Sequence, residues 1–220
     1  MSQSIYTIPI QEVFEPMCGC PICAMRDMLE ERCLEYIMGA SMMEPDVRIR
    51  TNKLGFCKDH LSFMQKRNNK LSLALMLETH LDELENKHVI SKAHSKKDPL
   101  SPAHTCFVCS EIEEAMSKLI QNLFKLYSCD KSFQQLFSKQ EYFCYPHYDM
   151  LCNHAAIYLN KKQVEPFTDI ITEITRSRLV EIAHDVHLFS TMFDYRNSKN
   201  PPEENVTNSI ERAISFLTAR

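Results

Sequence analysis

The chain has 220 residues, 25 Lys and Arg against 29 Asp and Glu, and a net charge of −4, so it lacks the basic surplus of a nucleic-acid or anionic-lipid binder. Three Gly, no Trp and many Leu, Met, Glu and Lys favour helix and leave little of the turn chemistry an all-β fold requires. The N-terminus has no basic segment followed by an apolar run, and no later stretch has about 18 consecutive apolar residues. An all-α cytoplasmic protein is the expectation. Ten cysteines in a reducing compartment then point to metal or redox chemistry before disulfides.

In chain order, the first helix is expected over 22–38, just behind Pro21, with Met25, Met28, Leu29, Cys33 and Ile37 at helical spacing. The stretch EPDVRIRTNKLGF reads as a break carrying Pro45 and Gly55, followed by helices over 58–68 and 70–90. Leu at 71, 73, 75, 77, 81 and 84 marks the second of these as largely buried. The polar segment SKAHSKKDPLSPAHT, 91–105, reads as the connection between two halves. Further helices are expected over 108–127, with Ser110 and Glu113 as a capping box, and near 131–139 and 145–160. A long helix over 163–193 carries Phe167, Ile171, Ile174, Ile182, Val186, Phe189 and Phe193, and reads as a strut between the halves. A terminal helix capped by Asn208 and Glu211 would dock through Ile210, Ile214 and Leu217.

Two knuckle types recur in alternation. CPIC at 20–23 and CFVC at 106–109 are Cys-x-x-Cys; CKDH at 57–60 and CYPH at 144–147 are Cys-x-x-His. The second copy of each lies 86 or 87 residues after the first, so the chain reads as two pseudo-repeats. A two-residue spacer lets both side chains of a knuckle reach one ion, and two knuckles complete a tetrahedral Cys3His sphere. Within-repeat pairing gives one site from Cys20, Cys23, Cys57 and His60 and another from Cys106, Cys109, Cys144 and His147. Zinc, two per chain, is favoured over iron–sulfur because each set includes an imidazole. The resulting division is 1–95 and 96–162 as zinc-clipped repeats and 163–220 as the long packing helix, an FDYRN segment and the terminal helix, together one compact domain.

The remaining polar residues support weaker readings. Cys33, Cys129 and Cys152 read as small core residues. Cys18, in CGC, reads as an exposed thiol with the alternative of a spare sulfur exchanging with a ligand, and His104 is a bystander or alternative ligand. Glu85-x-x-His88 and Glu181-x-x-His184 have the spacing of di-iron carboxylate bundles, for which Glu78 and Glu114 would complete the set, but read first as solvated helix faces. Asp194, Tyr195 and Arg196 read as pairing with each other, or with Arg48, Arg50 and Asn52 around an anion pocket.

The ordered run YTIPIQEVFE, CPIC, DVRIRTNKLGFCKDH, LSLALMLETHL, the second Cys knuckle, FC-x-PH and FDYRN resembles a domain-of-unknown-function family of small cytosolic proteins from Gram-positive bacteria. That resemblance implies no activity. Three functions compete: a zinc-stabilised helical module for an unknown protein or small-molecule partner, which is preferred; a thiol-based redox or metal sensor that releases zinc on oxidation; and a metal-dependent enzyme using the Glu-x-x-His pairs. The module is preferred because a closed Cys3His sphere lacks the open position of a catalytic zinc, and the enzyme is disfavoured because the Glu-x-x-His pairs read first as solvated charges, with His88 beside the polar connection.

Overall fold

The computed structural model describes residues 7–86, 105–192 and 204–219, and among these it contains eleven α-helices and no strand. The first half supplies α1 (Ile8–Phe14), α2 (Pro21–Met38), α3 (Pro45–Leu54), α4 (Lys58–Lys66) and α5 (Lys70–Asn86), with a 3-10 turn at Ala40–Met43. The second supplies α6 (Phe107–Cys129), α7 (Lys131–Ser138), α8 (Tyr145–Tyr158), α9 (Lys161–Thr191), α10 (Glu204–Thr207) and α11 (Ser209–Thr218).

Several helix boundaries follow directly from local chemistry. Asp130 caps α7 by accepting from the Ser132 and Phe133 amides, and Asn160 caps α9 through Lys162 and Gln163. The stretch expected as a break is α3. Pro45 occupies its first turn, where a missing N–H is harmless, and Gly55 stops it at φ +64°. Both breakers therefore punctuate the ends of a helix.

Two compact units emerge, one made of residues 26–117 and the other of 1–25 and 118–220, with the divisions running inside α2 and α6. In the contiguous unit, Leu34 and Ile37 from α2 join Met64, Leu73, Met76, Phe107, Val108 and Ile112 in one mainly aliphatic core. Of the α5 leucines, Leu73 is buried but Leu71 and Leu81 are more than 60 % exposed. That helix presents one face to the core, contrary to the buried helix expected from leucine count, because its leucines fall on several faces.

The other unit has an aromatic core. The Phe137 ring lies 5.1 Å from Phe143 and from Phe167, 5.2 Å from Tyr127 and 5.8 Å from Phe14. Such pairs each contribute about 0.5–1.5 kcal/mol beyond the apolar area they bury. Within this unit α9 packs mainly on α7, α8, α10 and α11. Its Phe167, Ile171 and Ile182 are buried as their spacing predicts, and Phe193 lies outside the described residues.

The terminal helix reverses its expected face. Phe216 and Ser209 are buried, while Ile210, Ile214 and Leu217 are 42 %, 56 % and 56 % exposed. Arg212 fixes this orientation through Asp185 at 2.7 Å and Glu181 at 2.5 Å, both on α9. A single buried aromatic and two ion pairs decide the docking.

Candidate metal centres

Each of the four knuckles opens a helix in the same way. Cys20, Cys57, Cys106 and Cys144 stand immediately before the first residues of α2, α4, α6 and α8. Their carbonyls accept the first intrahelical bonds, from Ala24, Leu61, Ser110 and Tyr148, at 3.1, 3.0, 3.0 and 2.8 Å. The second donor of each knuckle, Cys23, His60, Cys109 or His147, is therefore the third helical residue. A spacing of three at a helix N-terminus turns both side chains to one side of the first turn. For α6 this displaces the expected capping box, since Ser110 is already one turn inside the helix.

The first knuckle meets the fourth, and the second meets the third. Cys20, Cys23, Cys144 and His147 form one cluster, and Cys57, His60, Cys106 and Cys109 form the other, with the donor atoms of each within 4.8 Å of one another. All eight expected residues are in clusters, but the within-repeat pairing of Cys20 and Cys23 with Cys57 and His60, and of Cys106 and Cys109 with Cys144 and His147, is corrected. We call the clusters the outer and inner centres, after their places in the chain. The inner centre lies within the contiguous unit and the outer centre within the other.

The donor spacings approach those around a tetrahedral cation, the Cys–His pair within each Cys-x-x-His knuckle being the tightest. Zinc–sulfur and zinc–nitrogen bonds of about 2.3 and 2.0–2.1 Å give tetrahedral edges of about 3.8 Å between sulfurs and about 3.5–3.6 Å between sulfur and nitrogen. In the outer centre Cys23 Sγ is 3.7 Å from Cys144 Sγ, and His147 Nδ1 is 3.6, 3.4 and 3.0 Å from the sulfurs of Cys20, Cys23 and Cys144. In the inner centre His60 Nδ1 is 3.0, 3.3 and 3.4 Å from those of Cys57, Cys106 and Cys109. Both sets fit a four-coordinate metal that accepts thiolate and imidazole.

The electrostatics favour one thiolate in each centre before any metal binds. Burial opposes ionisation of Cys106, but hydrogen bonds from His60 and from the Cys109 and Cys57 amides outweigh it and lower the thiol to about 6. Burial and the neighbouring Cys106 thiolate push Cys109 up to about 12. His60 is raised to about 9, since burial, which disfavours the imidazolium, is overcome by Cys106, Cys57 and Glu30. In the outer centre burial opposes ionisation of Cys20, but hydrogen bonds from Cys144, Cys23 and His147 together outweigh it and lower that thiol, while the hydrogen bond that Cys144 makes to Cys20 raises Cys144 to about 12. The helix N-termini supply amides and a positive dipole end to these sulfurs.

Supporting contacts differ between the centres. Glu141 accepts from the Gly19 amide at 2.6 Å, beside Cys20, and is 3.6 Å from Arg178, whose guanidinium stacks over Tyr142. Gly19 has φ +70°, which a side chain would strain. Cys23 Sγ lies 3.5 Å from the Ala219 carbonyl, a hydrogen bond that only the metal-free thiol can donate. At the inner centre, the Phe107 amide donates to the Gly55 carbonyl at 2.9 Å and Thr105 Oγ1 to the Leu54 carbonyl at 2.7 Å, tying the second Cys-x-x-Cys knuckle to the segment before Cys57.

Among the described residues, the other candidates do not gather into a site. Glu78, Glu114, Glu181 and His184 are exposed, and Glu181 pairs with Arg178 and Arg212; His88 and His104 lie outside the described residues. Arg48 donates to the Leu75 carbonyl at 2.8 Å, Arg50 pairs with Glu111 above the Phe107 ring, and Asn52 accepts from Thr79 at 3.0 Å. Asp194, Tyr195 and Arg196 lie outside the described residues. Cys33 packs against the aliphatic core as expected and burial raises its thiol to about 12, but Cys129 is exposed, and Cys152 is only partly buried. Cys18 is exposed.

The profile of DUF6062, a family of unknown function, matches residues 1–220. The chain belongs to this family. No curated protein and no solved structure matches it. No helix among the described residues is long and apolar enough to cross a membrane.

Proposed function

We propose that this member of DUF6062 is a helical interaction module whose two Cys3His centres hold structural zinc. The observation that carries the reading is the convergence of eight donors into two four-donor sets, the donor atoms of each within 4.8 Å of one another. Three thiolates and one imidazole suit zinc, and a closed four-ligand sphere suits a structural metal. The partner is a protein or small molecule, bound on a surface that the zinc-clipped helices hold in place. None of the ten cysteines is in a disulfide, which supports a cytoplasmic location.

Protein purified without added metal should contain two zinc ions per chain by elemental analysis. A value near zero, or iron in place of zinc, overturns the proposal. The exposed Cys18, two residues before an outer-centre ligand, supports a second reading as a thiol sensor. Under that reading dilute peroxide releases the outer zinc first and reductant restores it, and Cys18→Ser slows the release.

A further inference from the structure

We infer that Glu30 is a positioning residue for the inner centre, holding His60 in the tautomer and orientation that a metal requires. This rests on the zinc-centre reading and adds a residue outside the ligand set. His60 directs Nδ1 at the sulfurs of Cys57, Cys106 and Cys109, so metal binding requires a lone pair on that nitrogen and the proton on Nε2. His60 is only 2 % exposed, which leaves solvent a poor acceptor for the Nε2 proton. Glu30 Oε1 lies 2.9 Å from Nε2 and is the acceptor.

The carboxylate therefore performs two tasks. It selects the Nδ1-ligating tautomer, and its negative charge makes the imidazole a stronger donor. Phe63 meets the His60 ring edge-on at 6.2 Å and restricts its tilt, leaving the carboxylate to set its rotation. Glu30 can do this from the middle of α2 because that side chain is itself largely shielded, with 19 % of its surface exposed.

The outer centre provides an internal comparison. His147 likewise turns Nδ1 to three sulfurs, but among the described residues no carboxylate meets its Nε2. The two centres thus share a ligand set and differ in the group behind the histidine. Loss of Glu30 should weaken one of them alone.

The test uses the full chain, loaded with zinc, with release to a chromogenic chelator followed for wild type, Glu30→Ala and Glu30→Gln. Cys57→Ser and Cys144→Ser identify the inner and outer release phases. Glu30→Ala should accelerate inner release by about 10–100-fold and leave outer release unchanged, a magnitude typical of groups behind a metal ligand. Glu30→Gln, which retains a carbonyl acceptor without the charge, should give an intermediate rate. Cobalt-loaded Glu30→Ala should also shift the inner-centre absorption bands, a change that general loosening would not confine to one centre.

Equal release from wild type and both variants overturns the inference, as does equal acceleration of both centres. If Glu30→Ala does not fold, the near-isosteric Glu30→Gln decides alone: faster inner release with unchanged outer release supports the role, and wild-type release rejects it. A wild-type chain that carries no metal would instead refute the zinc-centre reading, so the two failures are distinct.

Discussion

At the residue scale, metal uptake at the inner centre would be coupled to protons. With Cys106 lowered to about 6, that sulfur is already a thiolate at pH 7.5, whereas Cys109 at about 12 and His60 at about 9 retain their protons. A metal must displace both. Zinc binding at the inner centre should therefore release at least two protons per ion at pH 7.5, and its affinity should rise steeply between pH 7 and 9. Titration calorimetry of Cys144→Ser, which leaves only the inner centre complete, in two buffers of different ionisation enthalpy would count the protons. A count near zero would contradict the charge state assigned to His60 and Cys109. For the metal-free protein the sign is separate: His60 is raised above its usual 6.5, so its paired imidazolium stabilises the fold fully below about pH 6.5, and that contribution is lost as pH rises through about 9.

At the element scale, one local design is used four times: a cysteine before the first helical residue and a second donor three positions on. That design was legible in the sequence because it depends on neighbouring residues only. Which knuckles share a cation was not, since spacers of 33 and 34 residues are compatible with either pairing and the choice is made by long-range packing. The Phe107 amide reaching the Gly55 carbonyl is part of that packing, and neither residue announces it. The helix over Pro45–Leu54 was hidden for another reason: proline and glycine within one short stretch signal a turn or the two ends of a helix, depending on distance. The terminal helix shows the limit of apolar spacing, because Arg212 and Phe216 together outweigh an aliphatic stripe. Pairing of the first knuckle with the fourth, and of the second with the third, has a direct consequence for metal content. Cys20→Ala combined with Cys144→Ala removes two ligands from a single centre, so that variant should retain about one zinc per chain, while Cys20→Ala with Cys57→Ala should retain about none. Within-repeat pairing predicts the reverse, and elemental analysis of the two double variants separates them.

At the scale of the whole molecule the centres are nested: first knuckle with fourth, second with third. His60 and Cys106 are 46 residues apart in the chain, and Cys23 and Cys144 are 121 apart. Closing the longer loop from an open chain costs about 0.9 kcal/mol more, and prior closure of the inner loop reduces that difference, so the inner centre is favoured to form first. The contiguous unit, residues 26–117, contains all the ligands the inner centre requires. A chain severed anywhere in 87–104 would leave one fragment with Cys20, Cys23, Cys57 and His60 and the other with Cys106, Cys109, Cys144 and His147. Each fragment then owns half of both coordination spheres, and each ion becomes a rivet across the cut. With a protease site inserted between Lys96 and Lys97, the cleaved zinc-loaded protein should elute as one species and separate into two on chelation. Fragments that part while metal is bound, or remain joined after it is stripped, would show that the ions do not fasten the two pieces.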